Sequence, residues 1–109
     1  MVNKKETTAL SSKQRKLLEK YAQPLEAVVL VGAGGVTDAL VAQVERAIAV
    51  QELVKIKFND YKDEKTTLAQ QIADATGAIL VRIIGNVAVL YRAAKASDKR
   101  RYEKEIRAC

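Results

Sequence analysis

Residue types and spacings that could do chemistry are concentrated in two places. One is the run Gly32-Ala33-Gly34-Gly35, and the other is an earlier segment carrying Lys13, Lys16 and Lys20. The glycines end an apolar stretch, Val28-Val29-Leu30-Val31, and an apolar helical pattern starts at Val36. A chain that turns from strand to helix over so few residues leaves several peptide N–H groups without internal partners. They lie at the positive end of a helix dipole, where an anion such as a phosphate is the natural ligand. Small residues there let a ligand's own backbone approach the peptide chain. Thr37 is the candidate N-cap of the helix. The chemistry implied is recognition of an anionic backbone, with the lysines neutralising neighbouring phosphates.

The charge distribution supports a polyanionic ligand. The net charge is +6, and it is uneven. Residues 1–23 hold six basic and two acidic side chains, and residues 94–109 hold six basic and three acidic ones. The intervening segment holds seven and eight, so the excess lies at the two ends. Such an asymmetry favours nucleic acid first and an anionic membrane surface second.

The elements that must position these residues follow from periodicity. Ser11 and Gln14 fit a capping box, and the helix they open runs to about Ala22, before Pro24. At about 100° per residue, Gln14, Leu17, Leu18 and Tyr21 share one arc, with Lys13, Lys16 and Lys20 on the adjoining flank. Arg15 and Glu19 point elsewhere on that helix. Val28 to Val31 reads as a strand buried on both faces. Val36, Leu40, Val44 and Ile48, with Val41 and Ala47 beside them, mark a second helix. Leu53 to Phe58 alternates as a strand with Lys55 and Lys57 on one side. A polar loop follows from Asn59 to about Asp63. Leu68, Ala69, Ile72, Ala73 and Ala75 mark a third helix that Gly77 closes. Ala78 to Ile84 and Val87 to Tyr91 form a hairpin around Gly85-Asn86. Beyond Arg92 the composition is that of a helical or disordered tail rather than core. The order α-β-α-β-α-β-β implies an α/β domain with a mixed four-stranded sheet packed with helices.

Several function classes fit poorly. No window has the run of about 20 apolar residues that a membrane helix requires, and the polar start has no apolar signal-peptide centre. A cytoplasmic protein is the expectation. Cys109 is the only cysteine and there is no histidine, so neither an internal disulfide nor a zinc site can form. Gly32-x-Gly34 resembles part of a dinucleotide fingerprint, with Glu52 about twenty residues on. The third fingerprint position is Thr37, however, and Glu52 precedes the next strand instead of closing it. No Gly-Lys-Ser/Thr end makes a P-loop. Asp60, Asp63 and Glu64 share one polar loop and read as a solvated turn. The chain is therefore not expected to be an enzyme or to take a cofactor or metal.

Four stretches and the terminal hairpin resemble the CRM domain, whose stand-alone bacterial form is the YhbY-like family of ribosome-associated proteins. They are Leu10-Ser11-Ser12-Lys13-Gln14-Arg15, residues 22–29, Gly32-Ala33-Gly34-Gly35-Val36-Thr37, Glu52-Leu53-Val54-Lys55-Ile56-Lys57, and residues 84–92. The resemblance implies an α/β fold similar to the C-terminal domain of translation initiation factor three. It also implies RNA binding through the first helix and the G-x-x-G loop, here Gly32 to Gly35. For the stand-alone bacterial members it implies association with precursors of the large ribosomal subunit. The chain departs from the family at Ala33, where a basic residue is common, and at Gln23 and Glu26, where His and Lys often stand.

The expected organisation is a flexible arm over residues 1–9, a CRM-type RNA-binding domain over 10–93 and a basic tail over 94–109. The expected RNA contacts are Gly32, Ala33, Gly34, Gly35, Thr37, Lys13, Lys16 and Lys20, with Arg15 and Arg92 added. Large-subunit ribosomal RNA, or a particle containing it, is the expected partner of a monomeric protein. The alternative is a basic adaptor that sits on the ribosome without touching RNA.

Overall fold

In the computed structural model, which describes residues 10–109, the chain opens on a reciprocal cap. Ser11 N–H donates to Gln14 Oε1 at 2.8 Å, and Gln14 N–H donates to Ser11 Oγ at 3.1 Å. Two amides at the helix start are satisfied at once, and α1 runs Ser12–Ala22. The expected arm over residues 1–9 lies outside the described residues.

After α1 come β1 (Ala27–Val31), α2 (Asp38–Gln51), β2 (Leu53–Phe58), a 3-10 turn (Lys62–Glu64) and α3 (Lys65–Thr76). Then follow β3 (Ile79–Ile84), β4 (Val87–Tyr91), a second 3-10 turn (Ser97–Lys99) and α4 (Glu103–Ala108). The order expected from sequence is present, with one short helix added at its end.

The sheet order is β1-β2-β4-β3. β1 and β2 are parallel, and the other two pairs are antiparallel. A parallel pair needs a crossover, which α2 supplies. Strand alternation then splits the core between the two sheet faces. Val54, Ile56, Phe58, Ala88 and Leu90 pack against Leu40, Val44 and Ile48 of α2 and Ala69, Ile72 and Ala73 of α3. Leu53, Val81, Val89 and Tyr91 pack on the opposite face, against Leu18 and Ala22 of α1 and Ile106 of α4.

Two sequence expectations need correction. β1 is not buried on both faces: Val29 and Val31 are buried, but Leu30 is 56 % exposed. β1 is an edge strand, and α1 lies over β2 and β3, so the sheet face around Leu30 has no helix above it. The segment past Arg92 is also not devoid of core. Ile106 is buried, and the Tyr102 ring lies 5.4 Å from Tyr21 and 6.4 Å from Tyr91. Gln14 Nε2 donates to Ile106 O at 3.0 Å, and the Tyr21 hydroxyl donates to the Glu105 carboxylate. That carboxylate raises the Tyr21 phenol above its ordinary pKa.

Glu52 alone joins α2 to β2, with φ at +66°. Its side chain is fully buried. One carboxylate oxygen accepts from Ala94 N–H at 2.5 Å and the other from Arg101 N–H at 2.6 Å. Its backbone carbonyl accepts from Arg92 N–H at 2.8 Å. A left-handed, charged, buried residue is costly unless its surroundings hold it. Here the residues after β4 supply the hydrogen bonds.

Candidate nucleic-acid interface

The corner between β1 and α2 is built around a turn in which Gly35 N–H donates to Gly32 O at 2.9 Å. Gly35 has φ at +70°, a conformation that a side chain would strain. The loop is held from one side. Asn59 N–H and Asp60 N–H both donate to Val31 O, at 3.0 and 3.1 Å, which ties the exit of β2 to the end of β1. This places Tyr61 so that its hydroxyl donates to Ala33 O at 2.8 Å. Tyr61 also has positive φ, and its own N–H donates to Asp60 Oδ1.

The other side of the corner is open. Ala33 and Gly34 are exposed, and a Cβ built on Gly32 or Gly34 would meet no atom within 4 Å. The N–H groups of Ala33, Gly34, Val36 and Thr37 donate to no acceptor among the described residues. Thr37 caps α2, its Oγ1 accepting from Leu40 N–H at 3.1 Å, which leaves the hydroxyl hydrogen as a donor. Asp38 stands in the first turn of α2, so one carboxylate already faces this helix end.

Lys13, Lys16 and Lys20 are exposed on α1 and make no ion pair among the described residues. From Lys13 to Lys20 the helix rises about 10 Å. Residues 23–26 lead from α1 into β1, and Lys55 braces this link by donating to Gln23 O at 3.1 Å and Leu25 O at 2.9 Å. The five residues of β1 then carry the chain about 17 Å to the glycine corner. On the uncovered sheet face beside that path, Leu30 is in register with Lys57, and Lys57 in turn with Val87.

Lys57 is a cation that sequence reasoning did not select, although the alternation of Leu53 to Phe58 had placed it beside Lys55. Its relevance comes from β1 being an edge strand, which leaves this part of the sheet bare.

Arg15 and Arg92 are not brought to the corner. The Arg15 guanidinium donates to Leu80 O at 3.0 Å and to Val81 O, fastening α1 to β3. Arg92 forms a two-bond fork with Glu45, 2.8 Å in each arm, and donates to Thr76 O at 2.6 Å. That fork holds the Glu45 carboxyl below its usual pKa. Both arginines act as braces between elements, each donating to protein acceptors. The dinucleotide alternative also loses its acid, because both Glu52 oxygens are engaged by backbone N–H groups.

Comparison with known proteins gives the family of the chain. The CRS1 / YhbY (CRM) domain model matches residues 10–92. An RNA-binding protein of Haemophilus influenzae is 36 % identical over 86 residues, covering 78 % of this chain and 87 % of that protein. The Bacillus subtilis protein named "Probable RNA-binding protein YqeI" is 32 % identical over 91 residues, covering 83 % and 95 %. The solution structure of SAV1595 from Staphylococcus aureus, described as a candidate RNA-binding protein, superposes with a TM-score of 0.70 at 29 % identity. That match covers 84 % of this chain and 97 % of the other. The family model, the relatives and the shared fold lead to one assignment: the chain belongs to the CRS1/YhbY (CRM) domain family.

Proposed function

We propose that this protein binds RNA by its sugar-phosphate backbone, and that its target is ribosomal RNA in precursors of the large ribosomal subunit. The observation that carries the reading is the glycine corner, where amides with no acceptor among the described residues meet the start of α2 at the exposed Ala33 and Gly34. A phosphate seated there would accept from the main-chain N–H groups of Ala33, Gly34, Val36 and Thr37 and from the Thr37 hydroxyl. Lys13, Lys16 and Lys20 would neutralise further phosphates along α1. Arg15 and Arg92 keep the frame rigid and are left out of the contact set. The names carried by the relatives support RNA as the ligand class.

Such contacts position the protein and supply affinity but do not read bases. Aromatic residues are 5 % of the chain, too few for a stacking platform, so selectivity would rest on RNA shape. No bond is made or broken in this reading, and the protein is a binding module rather than an enzyme. A monomer working in the cytoplasm, where the target particle is assembled, completes the proposal.

The test is a salt titration of binding to a large-subunit ribosomal RNA transcript, with wild type and the variant K13A/K16A/K20A. Three neutralised phosphates fewer should reduce the magnitude of the log–log salt slope by about 2 to 3. Affinity should fall on all RNAs alike. Binding that ignores salt, or a variant that binds as wild type does, overturns the reading.

A further inference from the structure

The residues just past the family's matched span form a second, separately built basic surface. Between β4 and α4 the chain makes a loop over residues 94–101 whose two ends are clamped by one buried side chain. The Glu52 carboxylate receives Ala94 N–H at 2.5 Å and Arg101 N–H at 2.6 Å. Within the loop, Arg100 Nε donates to Ala94 O at 2.7 Å, and Lys99 N–H donates to Ala96 O at 3.0 Å. Arg100 also pairs with Glu103. The loop's internal cation is therefore spent on holding its shape.

The outward cations are not spent. Lys95, Lys99 and Arg101 are exposed and form no ion pair among the described residues. Together they line a groove whose other wall is the last turns of α2, including Glu45 and Val50. Glu45 is already neutralised by Arg92, which leaves Asp98 as the opposing carboxylate. The groove is net positive, and a clamped loop presents its charges with little ordering cost on binding.

We propose that this groove is a second contact for the phosphate backbone of RNA, separate from the glycine corner. It deepens the RNA-binding reading above and rests on it. The two surfaces lie at opposite ends of α2: Thr37 caps one end, and Val50 sits in the last turn at the other. Fourteen helical residues separate them by about 20 Å, so no single phosphate can bridge the gap. A polynucleotide, or two segments of one folded RNA, can occupy both. Amide donors at one site and cations at the other then favour an extended phosphate chain over a small anion.

The experiment compares four proteins on the same ribosomal RNA transcript: wild type, K13A/K16A/K20A, K95A/K99A/R101A and the sixfold variant. All six positions are exposed, and circular dichroism with a urea midpoint checks each fold. The K95A/K99A/R101A variant should lower the magnitude of the salt slope by about 2 to 3 and weaken binding about tenfold or more. The sixfold variant should lose both increments additively, as distant sites do. A K95A/K99A/R101A protein with wild-type slope and affinity, beside a weakened K13A/K16A/K20A protein, overturns this proposal and leaves the function standing. A wild type that does not bind RNA removes both.

Discussion

A methyl group added at Gly34 meets open space, whereas one added at Gly35 meets the Tyr61 ring at 3.5 Å on a backbone with φ at +70°. The two glycines therefore answer to different demands. Gly35→Ala should destabilise the fold by about 1 to 2 kcal/mol, the usual cost of a left-handed alanine, measured as a shift in urea midpoint. Gly34→Asp should leave that midpoint within about 0.5 kcal/mol yet abolish RNA binding, because it puts bulk and negative charge where a phosphate is to sit. Equal midpoints for the two variants would remove the distinction. Asp38, in the first turn of α2, opposes an incoming phosphate while stabilising the helix dipole. Asp38→Asn should tighten RNA binding severalfold and lower stability by about 0.5 kcal/mol. Tyr91 provides a test of the core. Its phenol is pushed up to about 12, first by burial and then by the Glu52 and Glu103 charges. An acid whose pKa is higher folded than unfolded gives stability that is intact below the unfolded value and is lost as pH rises through the folded one. Stability should thus fall by about 2 to 3 kcal/mol between pH 10 and 12, and Tyr91→Phe should remove that fall.

Individual elements owe their placement to a few long-range bonds. α1 is held to β3 by Arg15 on the Leu80 and Val81 carbonyls and by the Glu19–Arg82 ion pair at 2.5 Å. Beside it on the same sheet face lies α4, a helix of six residues that cannot be stable alone and depends on burying Ile106. Ile106→Ala should cost about 2 to 4 kcal/mol in a urea melt. Its effect should appear as faster amide exchange in α1 as well as α4, since Gln14 and Tyr21 bond across the junction. Exchange that quickens in α4 alone would show that α1 does not lean on it. The loop over residues 94–101 depends on Glu52 in the same way. Glu52→Gln keeps the volume and loses the charge, so the amides of Ala94 and Arg101 should exchange faster while the sheet is unchanged. Unaltered exchange at both amides would dismiss the carboxylate as the clamp.

Over the whole molecule, the length of α2 holds its two ends about 20 Å apart, and the sheet order β1-β2-β4-β3 leaves the β1 edge without a helix over one face. That arrangement sets the glycine corner and the C-terminal groove apart, and it puts Lys57 on bare sheet. Much of this was legible in the chain. Ser11 with Gln14, Thr37, Gly77 and Gly85-Asn86 act on neighbours within four residues, so local chemistry determined the caps and turns, while Asn59 to Tyr61 brace the glycine corner from a distance. The helix and strand periodicities likewise named most of the core, because burial follows the 3.6- and 2-residue repeats. Arg15 and Arg92 were candidates for RNA by charge alone, yet their partners lie 65 and 47 positions away in sequence, at Leu80 and Glu45. Periodicity is blind to such pairs. The open face at Leu30 was equally hidden, since a run of four apolar residues does not say whether a helix reaches it. Only the packed chain decided which cations are braces and which face water, because a guanidinium spends its donors on whichever carbonyls the fold brings within reach.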